Sequence, residues 1–467
     1  MKIDSRRELF VDRVLIEELD GVKLKLHEPR PAGVAVRFDQ PWEGGSSSYY
    51  TVLKDGNLYR MYYRGSSGLP GTDQVTCYAE SRDGIHWVKP NLGLFKVQGT
   101  RENNVILTPE FAGPATHNFC PFIDKRSGVP ASERFKAVGG NRRGGLVPFV
   151  SADGIRWRKL REQPIITKGA FDSQNVPFWS AIENQYLCYF RIFQNGVRSV
   201  ARSTSADFVN WSDPVPMTYG NTPREHIYTN GTHPYFRAPH IYVSLARRFM
   251  PGRRVLDDVQ VRQLDLERPG NYRGLKNDCS ETVLLTSRGG NRYDRTFMEG
   301  LVRPGTDLRN WVSRSNTPAL GVVPTGEGEM SLFVGRHRGQ PSHHLARFTL
   351  RTDGFVSVHA PYSGGEMLTH PVRFTGNRLE INYATSAAGS LRVEIQNVDG
   401  SPVSGFSLED CDEIIGDQIA RIVSWNGNSD VGSLAEKPVR LRFVMKDADL
   451  YSIRFRPEQE AAKNSTR

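Results

Sequence analysis

Three short stretches, "SRDGIHW" (Ser81–Trp87), "SADGIRW" (Ser151–Trp157) and "SADFVNW" (Ser205–Trp211), share one spacing of serine, aspartate and tryptophan. A fourth, "GTDLRNW" (Gly305–Trp311), keeps the aspartate and the tryptophan four residues later. Four of the seven tryptophans fall in these stretches, which makes chance a poor explanation. The spacing describes a tight hairpin turn. The aspartate accepts backbone N–H groups one or two residues on, glycine or another tolerant residue takes the awkward dihedral, and the tryptophan packs on the neighbouring sheet. Successive tryptophans, from Trp87 to Trp157, Trp211 and Trp311, lie 70, 54 and 100 residues apart. The last gap has room for two units, so a period of roughly 50 to 70 residues gives five.

Between the turns the chain reads as short strands bounded by Gly, Pro and Asn, with little helical periodicity. Examples are "LYRMYYRG" (Leu58–Gly65), "QYLCYFRIF" (Gln185–Phe193), "HIYVSLARRF" (His240–Phe249) and "MSLFVGRH" (Met330–His337). Short strands repeated about an axis predict a five-bladed β-propeller over residues 38–362. Beyond it, 363–457 alternate polar and apolar residues with an Asp399-Gly400 turn, which predicts an antiparallel β-sandwich. Residues 1–37 are expected as a strand or arm packing on the propeller, and the polar 458–467 as a disordered tail. The fold class is all-β.

The chain has 467 residues, 38% hydrophobic and 10% aromatic, enough for two or three cores. No run of about 18 apolar residues predicts a membrane span. The start has no apolar h-region with a small-residue cleavage site. The expectation is either a cytoplasmic protein or one whose export signal has been removed. Five scattered cysteines without a CxxC pair argue against a zinc cluster and a disulfide framework. Cys77, Cys120 and Cys188 lie in apolar runs and read as buried thiols. The net charge of +10 comes from 61 Lys and Arg against 51 Asp and Glu, without a basic block or stripe. A nucleic-acid footprint clusters its charge. Arginine dispersed among aromatics fits a small anionic ligand better, because the guanidinium fork matches carboxylate, sulfate or phosphate.

"ELFVD" (Glu8–Asp12), "DQPWE" (Asp39–Glu43), "NFCPFID" (Asn118–Asp124) and "LRTDGFVS" (Leu350–Ser357) accompany the S-x-D-x-x-x-W turns. Together they resemble the five-bladed propeller glycoside hydrolases (invertases, levanases, arabinanases and β-xylosidases), and within them a bacterial branch that begins with ELFVD. The resemblance covers nearly the whole chain. Its architectural motifs are specific and its catalytic motifs are not. The invertase segment N-D-P-N-G is absent, and "FDQPWEG" (Phe38–Gly44) takes its place. The resemblance implies a glycosidase acting on a poly- or oligosaccharide, with three carboxylates in the propeller funnel and no cofactor or metal. Paired carboxylates serve general acid and base work when one is kept protonated and the other ionised.

Asp39, at the mouth of the first hairpin, is the expected base or nucleophile, with a turn cap as its plain alternative. Trp42 is expected as a sugar-stacking wall or a blade-packing residue, and Glu43 as a site carboxylate or an ion-pair partner. Asp172 in "FDSQNVPFWS" takes the orienting role, with Gln174 and Asn175 offering amides to hydroxyl groups. His117 and Asn118 open the second blade. Glu225, Tyr235 and Arg237 come from "REHIYTNGTHPYFRAPH", whose histidines show no metal-ligand spacing. Asp294, Arg295 and Glu299 fill "SRGGNRYDRTFMEG". The acid is expected to be Glu299, Asp294 or Glu225, and Arg237 and Arg295 to clamp an acidic sugar. Two other readings stay open. A sialidase-type site would have six blades, three convergent arginines and a Tyr–Glu pair. A non-catalytic binding propeller would have fewer than two carboxylates in its funnel.

Overall fold

The computed structural model describes residues 1–267 and 274–457, and the expected tail at 458–467 lies outside them. The chain divides into two compact units, one of residues 29–349 and one of 1–28 with 350 onward.

The larger unit is a propeller of five blades. Blade 1 runs outward through Ser48–Asp55, Leu58–Gly65, Val75–Ser81 and Val105–Leu107. Blade 2 is Cys120–Ile123, Phe135–Asn141, Gly145–Ser151 and Arg158–Lys159. Blade 3 is Val176–Ser180, Gln185–Gln194, Val197–Ser205 and Val215–Pro216. Blade 4 is built on Ala238–Met250, which pairs with Cys279–Ser287 on one side and with both His226–Thr229 and Thr232–Tyr235 on the other. Gly231, at φ 58°, separates those two inner pieces; a Cβ there would lie 2.4 Å from the Leu245 carbonyl. Blade 5 carries Thr317–Pro318 and Val323–Gly326, then Glu329–Arg336 and His344–Arg351. Its outermost strand is Arg30–Arg37, antiparallel to His344–Arg351, so the start of the propeller sequence closes the ring. Inner strands also pair across that closure, with Val52 N donating to Leu320 O at 2.8 Å.

Apolar residues fill the gaps between blades. Val36, Tyr50, Tyr63 and Phe333 share one buried cluster, while Tyr62, Tyr78, Phe119 and Trp157 share the next. All five cysteines are unpaired and buried.

The three serine-led turns form as their spacing predicts. In each, the serine Oγ accepts from the backbone N–H three residues on, and the aspartate Oδ1 accepts from the residues two and three beyond itself at 2.7–2.8 Å. Each ends the third strand of blade 1, 2 or 3. Trp157 packs edge-on to Tyr62 of blade 1, and Trp87 to Phe333 of blade 5. Gly84 and Gly154 hold φ near 75°, but the third turn puts Phe208 there at φ 69°. Phe208 is fully buried against Phe122, Tyr186 and Trp211, and this packing outweighs the backbone strain. The fourth stretch is not equivalent. Its Asp307 caps the short 3-10 turn Leu308–Asn310 ahead of blade 5, and blade 4 ends its third strand at Ser287 without the signature.

The smaller unit holds an antiparallel sheet of eight strands and a parallel pair, Lys2–Asp4 with Arg373–Phe374; the two long members of the sheet, Arg378–Gln396 and Arg440–Arg456, pair over most of their length. Their pairing breaks between Thr385 and Ser390, and residues on both sides of the break share one core with Phe10, Met367 and Trp425. The chain start contributes here. Arg7–Leu9, Ile16–Asp20 and Lys23–Leu26 all pair with strands from beyond residue 350. Of the expected N-terminal arm, the strand that pairs within the propeller is Arg30–Arg37.

The turn carboxylates give a test. Burial raises the Asp207 pKa, but hydrogen bonds from Asn210, Val209 and Ser205 together outweigh it and hold the carboxyl down at about 2. A depressed folded pKa stabilises above the unfolded value of about 3.9 and is lost as pH falls towards 2. Asp207→Asn is expected to cost about 1 kcal/mol at neutral pH, the scale of a lost side-chain cap, with the difference from wild type vanishing below about pH 2. Urea melts at pH 7 and pH 2 check this.

Candidate functional site

In each blade the innermost strand starts at the same end of the propeller axis, so residues at or next to those starts surround one hollow. This funnel, a cavity of about 180 Å³, is lined by Ser48, Tyr49, Arg64, His117, Asp172, Tyr228, Arg247, Arg314 and Arg338. Every blade contributes to it, and four guanidiniums line it against one carboxylate.

Arg64, Arg247 and Arg338 are 5%, 2% and 4% exposed, respectively. Their partners are neutral. Arg64 donates to Ser46 O at 2.7 Å and to His117 Nε2 at 3.3 Å, while His117 Nδ1 donates to Gln74 Oε1 at 2.7 Å. Arg338 donates to Ser47 O and Ser46 Oγ, both at 2.9 Å. Arg247 donates to Thr317 Oγ1 and, at 3.3 Å, to Arg314 O. No ion pair to a carboxylate satisfies any of the three among the described residues. Arg64 Nε and Arg247 Nε find no acceptor there either. Burial pushes the Arg338 pKa down to about 9, helped by Arg64 and Arg314, and that of Arg247 down to about 10. His117 is held well below its ordinary value by burial and by Arg64, so it is neutral near pH 7 and can accept from Arg64.

Asp172 is the acid that lines the funnel among the described residues. Its carboxylate is paired with Arg191 and mostly exposed, and its carbonyl accepts from Tyr49 Oη at 3.0 Å. Beneath it, the Tyr228 ring lies 3.9 Å from the Arg247 guanidinium and 4.8 Å from that of Arg191. Burial alone would raise the phenol pKa, but Arg247, Arg191 and Arg314 outweigh it and bring it down to about 8. Two lining residues, Tyr49 (φ 57°) and Arg314 (φ 64°), hold left-handed backbone. Tyr49 sits where the pairing register of blade 1 shifts, which turns its ring toward His117, 5.3 Å away. Such strain persists where surrounding structure over-determines it, commonly at binding sites.

Of the expected residues, the structure brings Asp172 and His117 to the funnel. The other carboxylates lie elsewhere. Asp39 is exposed and pairs with Lys89 at 3.1 Å. Glu43 is buried, accepting from Tyr63 Oη and Lys89 Nζ, both at 2.6 Å, and burial raises its pKa. Trp42 is buried with its indole N–H on Asn104 at 3.0 Å, so it packs the blade and offers no sugar wall. Asn118 and Asn175 are fully buried and donate to the Phe171 and Ser173 carbonyls, clamping the loop that carries Asp172. Gln174 donates to Tyr50 O and Thr51 Oγ1 at 3.1 and 3.0 Å, tying blade 3 to blade 1. Tyr235 is buried at the other end of the inner strand, with its hydroxyl 3.5 Å from Met330 Sδ, and Arg237 lies in the turn after it. Asp294 accepts from Thr296 in a local turn, and Glu299 is exposed. Glu225 and Arg295 meet each other at 2.8 Å in a separate cavity.

The sequence reading missed Arg64, Arg191, Arg247, Arg314 and Arg338 as individuals, and also Tyr49 and Tyr228. A signal existed for several. Arg64, Arg191 and Arg247 each stand inside an apolar strand run, where an arginine is rarely buried without a purpose.

No protein-family model matches the chain. Two uncharacterized proteins of Mycobacterium tuberculosis match part of it. Rv1502 of strain ATCC 25618 / H37Rv is 30% identical over 139 residues, and MT1551 of strain CDC 1551 / Oshkosh is 50% identical over 142. Each match covers 28% of this chain and 41% of the relative, so the chain spans about two fifths of the length of the curated relatives it matches. Among solved structures, an N-acetylgalactosamine deacetylase from F. plautii, in complex with blood group B trisaccharide, is 12% identical with a TM-score of 0.44; the match covers 71% of this chain and 96% of that one. A family 43 arabinoxylan arabinofuranohydrolase from Bacillus subtilis is 12% identical with a TM-score of 0.40, covering 88% and 96%. A fructofuranosidase from Schwanniomyces occidentalis is 11% identical with a TM-score of 0.34, covering 97% and 98%. The strand pairing itself makes the protein a five-bladed propeller, and its likeness to these solved structures is one of fold alone.

Buried guanidinium groups without counter-charge make an anion site testable without knowing the ligand. Sulfate at 10 mM, added at constant ionic strength, is expected to raise the melting temperature by several degrees. Arg338→Met should remove that rise, as followed by differential scanning fluorimetry.

Proposed function

We propose that the chain is a carbohydrate-active propeller whose funnel takes an acidic saccharide. The observation that carries this reading is the convergence of Arg64, Arg247 and Arg338, from blades 1, 4 and 5, with neutral partners only. Desolvating a charge costs several kcal/mol unless an opposite charge is bound close by. A carboxylate, sulfate or phosphate on a sugar supplies that charge and satisfies unused N–H donors. Ser48, Tyr49 and Tyr228 leave hydroxyls at the same wall for sugar hydroxyl groups.

Hydrolysis by two funnel carboxylates, the chemistry of most glycosidases, has little support here, because Asp172 is the acid that the lining offers. A second reading rests on Tyr228. A phenol brought down to about 8 by its guanidinium neighbours can lose its proton to solvent and attack an anomeric carbon; the glycosidic C–O bond breaks, the leaving oxygen takes a proton from water, and a second water later releases the sugar from Tyr228. The sialidase-type reading of the sequence called for six blades and a Tyr–Glu pair; the propeller has five blades and no glutamate lines the funnel among the described residues, so the convergent arginines are the one element it shares.

Two measurements separate binding from cleavage. In an array of neutral, uronic and sulfated oligosaccharides, the acidic members should bind, with at least tenfold loss in Arg338→Met and Arg64→Met. Affinity should also fall as pH rises from 7 to 9.5, because Tyr228, beside Arg247, gains negative charge near 8. Product release that disappears in Tyr228→Phe while binding stays within threefold would support catalysis. Binding of neutral members alone would overturn the acidic-ligand reading.

A further inference from the structure

The cavity where Glu225 and Arg295 meet has a volume of about 250 Å³ and opens between blades 3 and 4. Its buried charges are paired. Glu225 takes Arg295 at 2.8 Å and Arg248 at 2.7 Å, and Arg248 also holds Glu281 at 2.6 Å. At the buried end two carboxylates thus meet two guanidiniums, in contrast to the funnel, while Arg224 adds an exposed guanidinium at the rim. Its wall alternates Met217, Tyr219 and Ile227 with Gln194, Thr218 and Thr222. Arg295, with its side chain 2% exposed, keeps one donor, Nε, without an acceptor among the described residues.

The cavity and the funnel share a strand. Ile227 lines the cavity and Tyr228 lines the funnel, and consecutive residues of a strand point to opposite faces. The two hollows therefore lie back to back across His226–Thr229.

We infer that this cavity is a second saccharide site, taking an uncharged sugar ring. Such a ring has C–H faces suited to Tyr219, Met217 and Ile227, and a rim of hydroxyls suited to Gln194, Thr218, Thr222, the Glu225 carboxylate and Arg295 Nε. Sites for small ligands commonly combine an apolar wall with a few placed polar groups in this way. At the buried end, beside Arg295, a charged ligand would have to break ion pairs that are already made, at the cost of leaving a buried charge alone. The inference uses no residue of the funnel and does not rest on its ligand.

The test uses the whole protein and four neutral probes: cellotriose, xylotriose, arabinotriose and maltotriose. Isothermal titration is expected to find at least one that binds wild type and Arg338→Met equally. Its affinity should weaken at least tenfold in Thr222→Trp, which fills the cavity from its half-exposed rim, and in Gln194→Ala, which removes an amide with little risk to folding. Circular-dichroism melts verify that both variants fold. The inference is overturned if none of the four binds, if binding survives both variants, or if Arg338→Met abolishes it.

Discussion

Positive charge that the fold buries without neutralising it is the constraint around which the propeller unit is arranged. Arg64, Arg247 and Arg338 are held in place by carbonyls and hydroxyls of the loops that enter the innermost strands, namely Ser46, Ser47, Arg314 and Thr317. Those bonds fix the direction of each guanidinium but leave its charge. Burial, with repulsion from neighbouring guanidiniums behind it, then shows in the depressed Arg338 and Arg247 pKa values and in the neutral His117. A chain that gains nothing from this arrangement would be more stable with apolar side chains at the same positions. The left-handed backbone of Tyr49 and Arg314 is a second local cost at the same spot. Both costs fall where the five blades meet, as expected of a preorganised binding site.

The larger architecture was legible because it is made of local signals. A serine and an aspartate two residues apart fold their own turn, whatever the rest of the chain does. Three such turns mark the third strands of blades 1 to 3. The reading was weakest where a local signal was reused. Gly305–Trp311 has the aspartate and tryptophan spacing but caps a 3-10 turn, and blade 4 turns at Ser287 without the motif. The chain start was also opaque. Pairing of Arg7–Leu9 with residues near 452 is a contact across the whole sequence, and nothing in either segment announces it.

The site was harder to read than the fold for the same reason. Asp39, Glu43 and Trp42 stand in a conspicuous stretch, yet one finds Lys89, one finds Tyr63 and one finds Asn104, all structural partners. Asp172 was found because its loop sits directly before an inner strand, and inner-strand starts are what a propeller gathers. The arginines reach the same hollow from second strands and long loops, at positions 64, 247, 314 and 338. Their convergence is a property of ring closure and has no trace in spacing. What the sequence did carry was the chemistry in bulk, an arginine excess without a basic block, and this matches an anion site far better than a nucleic-acid surface.

The central claim is that three guanidiniums from three blades form one oxyanion site. Anomalous diffraction from crystals soaked in selenate tests it most directly. The account predicts one strong selenium peak in the funnel, within hydrogen-bonding distance of Arg64, Arg247 and Arg338. Selenium peaks confined to surface lysines and arginines, with water alone in the funnel, would contradict it.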